Sequence, residues 1–243
     1  MTIFQYFTLF GAVVFGGALA FKFQSNNRRL LQLILSFVGA YLLGILVLHL
    51  IPDAYEGSNA TIGLWVLLGF FIQLTLEQFS LGVEHGHIHD HHHATRTAFA
   101  IQVMLSLSIH AFIEGLPLTN YATLDHATLG HSHENLFYGV IMHKAPEAFA
   151  LALLLLMSHF SKRIVIGCIA LFALMSPLGA FVTQVIDFQP ATLQKIIAIV
   201  VGSLLHISTT ILFEVDNTDE HRMSKAKIAA IAAGVGLSLL TIF

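Results

Sequence analysis

The sequence predicts an all-α integral membrane protein of eight transmembrane helices, a single transmembrane domain over residues 1–243. Three observations predict it. First, 56% of the residues are hydrophobic and only 10% are charged, against about 25% charged in an ordinary soluble domain. Mean hydropathy is +0.79, and 20 Phe stand against one Trp. Second, the chain divides into eight apolar runs, each near the roughly 20 residues that a spanning helix needs. Third, Lys and Arg fall almost wholly on alternate joints. A membrane β-barrel would instead show alternating segments of about ten residues.

The runs lie at roughly 3–23, 30–51, 62–82, 97–118, 136–158, 164–186, 192–213 and 225–243. The first ends in Ala18-Leu19-Ala20, which imitates a signal cleavage site, but no basic segment precedes it, so it reads as a retained helix. The eighth is short and rich in Ala and Gly. With the N-terminus outside, the inner joints carry Lys22, Arg28, Arg29, Arg96, Lys162, Arg163, Arg222, Lys225 and Lys227, and the outer joints only Lys195. The eleventh, Lys144, lies within a span. Positive charge collects on the cytoplasmic side, so both termini are expected outside, in a bacterial inner membrane or a plasma membrane.

Net charge is −3, and no basic excess points to nucleic acid. The single cysteine, Cys168, excludes an internal disulfide and a cysteine metal cluster. The 15 histidines are the outlying number, since imidazole is a common transition-metal ligand.

Ionisable groups inside a bilayer are expensive and usually functional. Span four holds His110 and Glu114, and span five holds His143, Lys144 and Glu147. Each His–Glu pair is spaced i, i+4 and so shares one helix face. Because the two spans run in opposite directions, side-by-side placement brings His110 level with Glu147 and Glu114 level with His143. Two imidazoles and two carboxylates suit Zn²⁺, and also Fe²⁺ or Mn²⁺. The same residues would otherwise form two ion pairs that glue helices together. Pro146 in span five, and Gly115 and Pro117 after Glu114, predict helix breaks whose freed carbonyls add oxygen ligands.

HAFIEG at 110–115 and HKAPEA at 143–148 resemble the signature of the ZIP (Zrt-, Irt-like) divalent metal transporters, with echoes in HLIPDA at 49–54 and SPLGA at 176–180. The resemblance implies eight spans, with spans 1–3 and 6–8 an inverted repeat around spans 4–5. It implies zinc as transported substrate; the His and Glu donors accept Fe²⁺, Mn²⁺, Co²⁺ or Cd²⁺ as well, and no organic cofactor is expected. It also implies elevator-like sliding of a site-bearing bundle against a scaffold able to form a homodimer. Two positions depart from the family pattern. Ala111 stands where many members have Asn, and Lys144 where many have an acid; in two-metal members these positions help hold the second ion. This predicts a single-metal site with the Lys144 ammonium in place of the second cation. The alternative is a plain Lys144–Glu147 partnership.

His85, His87, His89, His91, His92 and His93 form a His-rich tract in the cytoplasmic loop 83–96, a loose metal buffer or a tolerated low-complexity loop. The outer loop 119–135 carries Asp125, His126, His131, His133 and Glu134 and could gather cations. His49, Asp53, His206 and Ser176 are secondary stations on a metal pathway, and Glu77, Glu84, Glu214 and Asp216 are release-side candidates. The resulting expectation is a carrier rather than an enzyme, with a divalent metal ion and lipid as partners. A His-box membrane metalloenzyme and a metal exporter remain the alternatives.

Overall fold

The computed structural model describes residues 1–22, 28–55, 60–80, 96–119, 132–186, 188–213 and 224–240. Among these the chain is helical and has no strand. In order come α1 (Ile3–Lys22), α2 (Arg28–Ile45), a π turn (Leu46–Leu50), α3 (Ile51–Tyr55), α4 (Ile62–Ser80), α5 (Arg96–Gly115), a 3₁₀ turn (Leu116–Leu118), α6 (Ser132–Met157), α7 (Lys162–Val185), α8 (Pro190–Phe213) and α9 (Lys225–Leu239). α2, the π turn and α3 are continuous, so the described chain makes eight rods. Seven are long and apolar enough to cross a membrane. The eighth, α9, has 15 residues, about 22 Å at 1.5 Å per residue, and is shorter than a hydrocarbon core of about 30 Å.

Local chemistry explains the boundaries. Ser161 and Ser224 cap α7 and α9 by accepting the backbone N–H of Ile164 and Lys227. The tight joint after α6 turns at His159, whose φ is 56°. The second span runs on to Tyr55, past the expected end at 51. Pro52 has no N–H, and its ring crowds the carbonyl four residues back. The chain meets this by widening the preceding turn, with the Ile51 N–H reaching back to the Leu46 carbonyl. The two expected breaks near the acidic residues differ. After Gly115 the helix tightens to 3₁₀ at Pro117, whereas α6 continues through Pro146 to Met157. In α6 the proline removes one donor, and the helix resumes on either side of it.

The rods pack in fixed pairs. α4 lies along α8, α2 along α9, α1 along α6 and α5 along α7, while α1 also meets α7 and α2 meets α8. Exchanging α1 with α7, α2 with α8, α4 with α9 and α5 with α6 maps this set of pairings onto itself. Exchanged rods are five crossings apart, or one for α5 and α6, and so run in opposite directions, which is the inverted relation expected of spans 1–3 and 6–8.

Small residues make the pairings close, as they do between helices in lipid. A Cβ on Gly69 of α4 would strike the Ile199 carbonyl of α8, and one on Gly202 of α8 the Val66 carbonyl of α4. The same reciprocal contact ties Gly115 of α5 to the Ser176 carbonyl and Gly179 of α7 to the Phe112 carbonyl. Two helix sets result: α1, α5, α6 and α7 around a core including Val103, Leu107, Leu151 and Phe172, and α2–α3, α4, α8 and α9. A second core, including Leu42, Leu46, Val140 and Leu204, lies where α6 meets the second set. Large apolar side chains such as Phe4, Phe71, Ile101, Ile166 and Phe213 are exposed on the outside, as a lipid-facing surface requires.

Candidate metal centre

α5 and α6 bring the two i, i+4 pairs to one buried point. His110, Glu114, His143, Lys144 and Glu147 are each at most 5% exposed. Within α5, His110 Nε2 is 3.1 Å from Glu114 Oε1. Across the helices, His143 Nε2 is 2.9 Å from Glu114 Oε1 and His110 Nε2 is 3.9 Å from Glu147 Oε1. The imidazole centroids are 6.2 Å apart. His110, His143 and Glu147 each offer a donor atom within 4.8 Å of the others, and this is the one such trio among the described residues.

These separations suit a metal ion. Ligands 2.0–2.1 Å from a tetrahedral Zn²⁺ lie roughly 3.3 Å from one another, and the 2.9, 3.1 and 3.9 Å contacts bracket that value. The donor chemistry agrees. His110 Nε2, His143 Nε2, Glu114 Oε1 and Glu147 Oε1 are buried yet make no aligned hydrogen bond among the described residues. Buried polar atoms are rarely left so. Here four of them face a common point.

Lys144 defines the other side of the cluster. Its Nζ is 2.5 Å from Glu114 Oε2 and 2.9 Å from Glu147 Oε2, and it lies 5.3 Å from the Phe172 ring centroid. Each carboxylate is therefore divided, with Oε2 held by the ammonium and Oε1 turned to the imidazoles. A bridge across both acids replaces the simple Lys144–Glu147 partnership. Ala111, buried beside His110, offers only a methyl group and a carbonyl, and that carbonyl accepts the Ser176 hydroxyl at 3.0 Å. Ser176 thus ties α7 to α5. Thr183 does the same one level on, donating to Leu116 O at 2.8 Å.

The other expected residues stand apart from this point. His49 lies in the π turn and Asp53 in α3, both half-buried, and neither joins the trio. His206 of α8 pairs with Glu77 of α4, with Phe70 edge-on at 4.8 Å between centroids. The tract His85–His93 and Glu84, Asp125, His126, His131, Glu214 and Asp216 lie outside the described residues. His133 and Glu134 fall in the first turn of α6.

Two contributors are not singled out by the sequence reading. Ser203 Oγ donates to Gln73 Oε1 at 2.9 Å and lies 3.4 Å from His110 Nδ1. Gln73 carried a signal, being the first polar side chain after the apolar run 62–72 of span three. A narrow cleft lined by Leu35, Val38, Ile207 and Ile211 reaches His143 and Glu147 from the second helix set.

Comparison with known proteins gives the family. The chain is similar to zinc transporter ZIP1 of Mus musculus, 26% identical over 198 residues that make up 64% of this chain and 59% of that protein. The human ZIP1 zinc transporter gives 25% over 198 residues, with the same shares. Zinc transporter SLC39A7 of Sus scrofa gives 37% over 83 residues, 26% of this chain and 18% of the relative. The match thus spans less than two thirds of the length of these relatives. The family described as ZIP zinc transporter matches residues 81–241, more than half of the chain and the whole of the α5–α6 site, and the chain belongs to that family.

Proposed function

We propose that this chain carries a divalent transition-metal ion, zinc first, across the bilayer into the cytoplasm by alternating access around one site of His110, Glu114, His143 and Glu147. One observation carries the reading: two imidazoles and two carboxylates from antiparallel helices meet at a buried point of a membrane bundle. Fe²⁺, Mn²⁺, Co²⁺ and Cd²⁺ accept the same donors and are the competing cargo. The metalloenzyme alternative is not favoured, because the family is one of transporters.

The chain's own residues supply the chemistry. Glu114 and Glu147 offset the charge of a divalent ion in a low dielectric, and the imidazoles complete its coordination. Protons compete with the ion for the same lone pairs, so protonation of the ligands favours release. Lys144 makes the site a one-ion site. A second divalent cation about 4 Å from its ammonium would be opposed by about 8 kcal/mol at an effective dielectric of 20. In the orientation given by the Lys and Arg bias, both termini are outside. The cleft beside His143 and Glu147 then lies in the cytoplasmic half, since Leu35 is early in an outward span and Ile207 and Ile211 are late in an inward one.

The test is uptake into liposomes holding a zinc-sensitive dye, with Glu114→Ala and Glu147→Ala as comparisons. Zinc entry by the native chain, lost in both folded variants, supports the proposal; no entry from correctly inserted protein across metals and pH overturns it. The other metals in the same vesicles rank the cargo. A homodimer would show as twice the chain mass by light scattering in detergent.

A further inference from the structure

The two histidines of the site are held by different parts of the molecule. His143 Nδ1 lies 3.0 Å from the Gly139 carbonyl, one turn back on its own helix. A carbonyl only accepts, so Nδ1 carries the proton and Nε2 presents its lone pair. His110 has no such partner on α5; its Nδ1 meets Ser203 Oγ of α8. A hydroxyl has one proton, and that of Ser203 is directed to Gln73 Oε1 of α4 at 2.9 Å. The 3.4 Å contact is then made by Nδ1–H donating to Oγ, which leaves the lone pair on His110 Nε2, the atom facing Glu114 and Glu147. All three side chains are buried, with Gln73 at 0%, His110 at 1% and Ser203 at 3% exposure, so water does not take over the hydrogen bonds.

We propose that Ser203 and Gln73 are positioning residues for His110: a relay from α8 and α4 that holds its imidazole in the Nε2-ligating tautomer. The inference rests on the proposed ion site. Its consequence is that full-affinity binding requires α5 to be seated against α4 and α8, whereas His143 keeps its tautomer wherever α6 goes. The partner on the far ring nitrogen of a ligating histidine commonly governs metal affinity by 10–100-fold.

The experiment measures zinc affinity of the full chain in detergent by competition with a chelating dye. The binding abolished by His110→Ala defines the mid-membrane site and separates it from zinc held by the six-histidine tract. Ser203→Ala and Gln73→Met are each expected to weaken that site on the order of tenfold. Ser203→Thr, which keeps the hydroxyl, restores most of the affinity. The Ser203→Ala/Gln73→Met double variant is no weaker than either single, because both break one chain. Unchanged affinity in folded Ser203→Ala, or losses that multiply in the double variant, overturns the relay. If Ser203→Ala does not fold, Gln73→Met, which nearly preserves volume, decides alone: wild-type affinity overturns the relay and a loss supports it. If His110→Ala itself binds zinc as the native chain does, the underlying site fails. If His110→Ala loses zinc and the relay variants do not, only the relay fails.

Discussion

Among the described residues His–Glu contacts fall in two places within the bundle, and these differ in what their donor atoms face. At the α5–α6 cluster two imidazoles and two carboxylates point at a shared space, and four donor atoms have no aligned hydrogen bond among the described residues. At the α4–α8 contact one imidazole meets one carboxylate, His206 on Glu77, with Phe70 packed edge-on. The first has donors in surplus of what its neighbours satisfy. The second is a single pair, with His206 Nδ1 left over among the described residues, and it fastens two helices that already interlock through Gly69 and Gly202. The proposed ion site therefore rests on several His–Glu pairs sharing one point, which the His206–Glu77 contact lacks.

The comparison predicts a graded set of losses. Glu114→Ala removes the oxygen that faces both imidazoles. Zinc affinity is expected to fall by more than the roughly 10–100-fold that loss of an outer-shell partner costs; zinc titration of Glu77→Ala, read beside it, should show no change. Lys144→Ala leaves two buried carboxylates facing each other. Thermal unfolding without zinc should register the 3–5 kcal/mol typical of a broken buried ion pair, and added zinc should raise the melting temperature by more than in the native chain. One-ion transport should stay measurable. Equal melting temperatures would show that the ammonium does not hold the acids together.

Gly202→Ala drives a methyl into the α4 backbone and should cost about 1–3 kcal/mol, as overpacking does. Gly236→Ala, with nothing within 4 Å, should leave thermal unfolding unchanged. His206→Ala should cost about 0.6–1.7 kcal/mol for a lost interhelical hydrogen bond. Its zinc affinity should match the native value; a weaker one would move His206 from fastening to pathway.

Much of this was legible in the residues. Apolar runs of bilayer length give the rods, and the i, i+4 spacing puts His110 with Glu114 and His143 with Glu147 on single faces. The antiparallel run of consecutive spans then sets their register. What stayed hidden needs knowledge of which rods are neighbours. Ser203 and Gln73 are 130 positions apart, and nothing local announces that they meet beside His110. Lys144 sits at i−3 from Glu147, so that contact is visible; its second hold, on Glu114, depends on how closely α5 and α6 approach. The π turn before Pro52 and the unbroken course of α6 through Pro146 show two prolines resolved in different ways.

The Lys144 bridge has an electrical consequence for a carrier of this kind. With both carboxylates ionised and the imidazoles neutral, the empty site holds a net charge of −1 and the loaded site +1. Without the lysine the values would be −2 and 0, and all the voltage-dependent work would fall on the empty return. With it, if the site-bearing bundle slides across the field, an inside-negative potential would drive the loaded site inward and the empty site outward by equal amounts, up to about 2.3 kcal/mol per 100 mV for each full crossing. A buried ammonium would thus balance the two halves of the cycle against the membrane voltage, so that neither step becomes the sole brake when the potential changes.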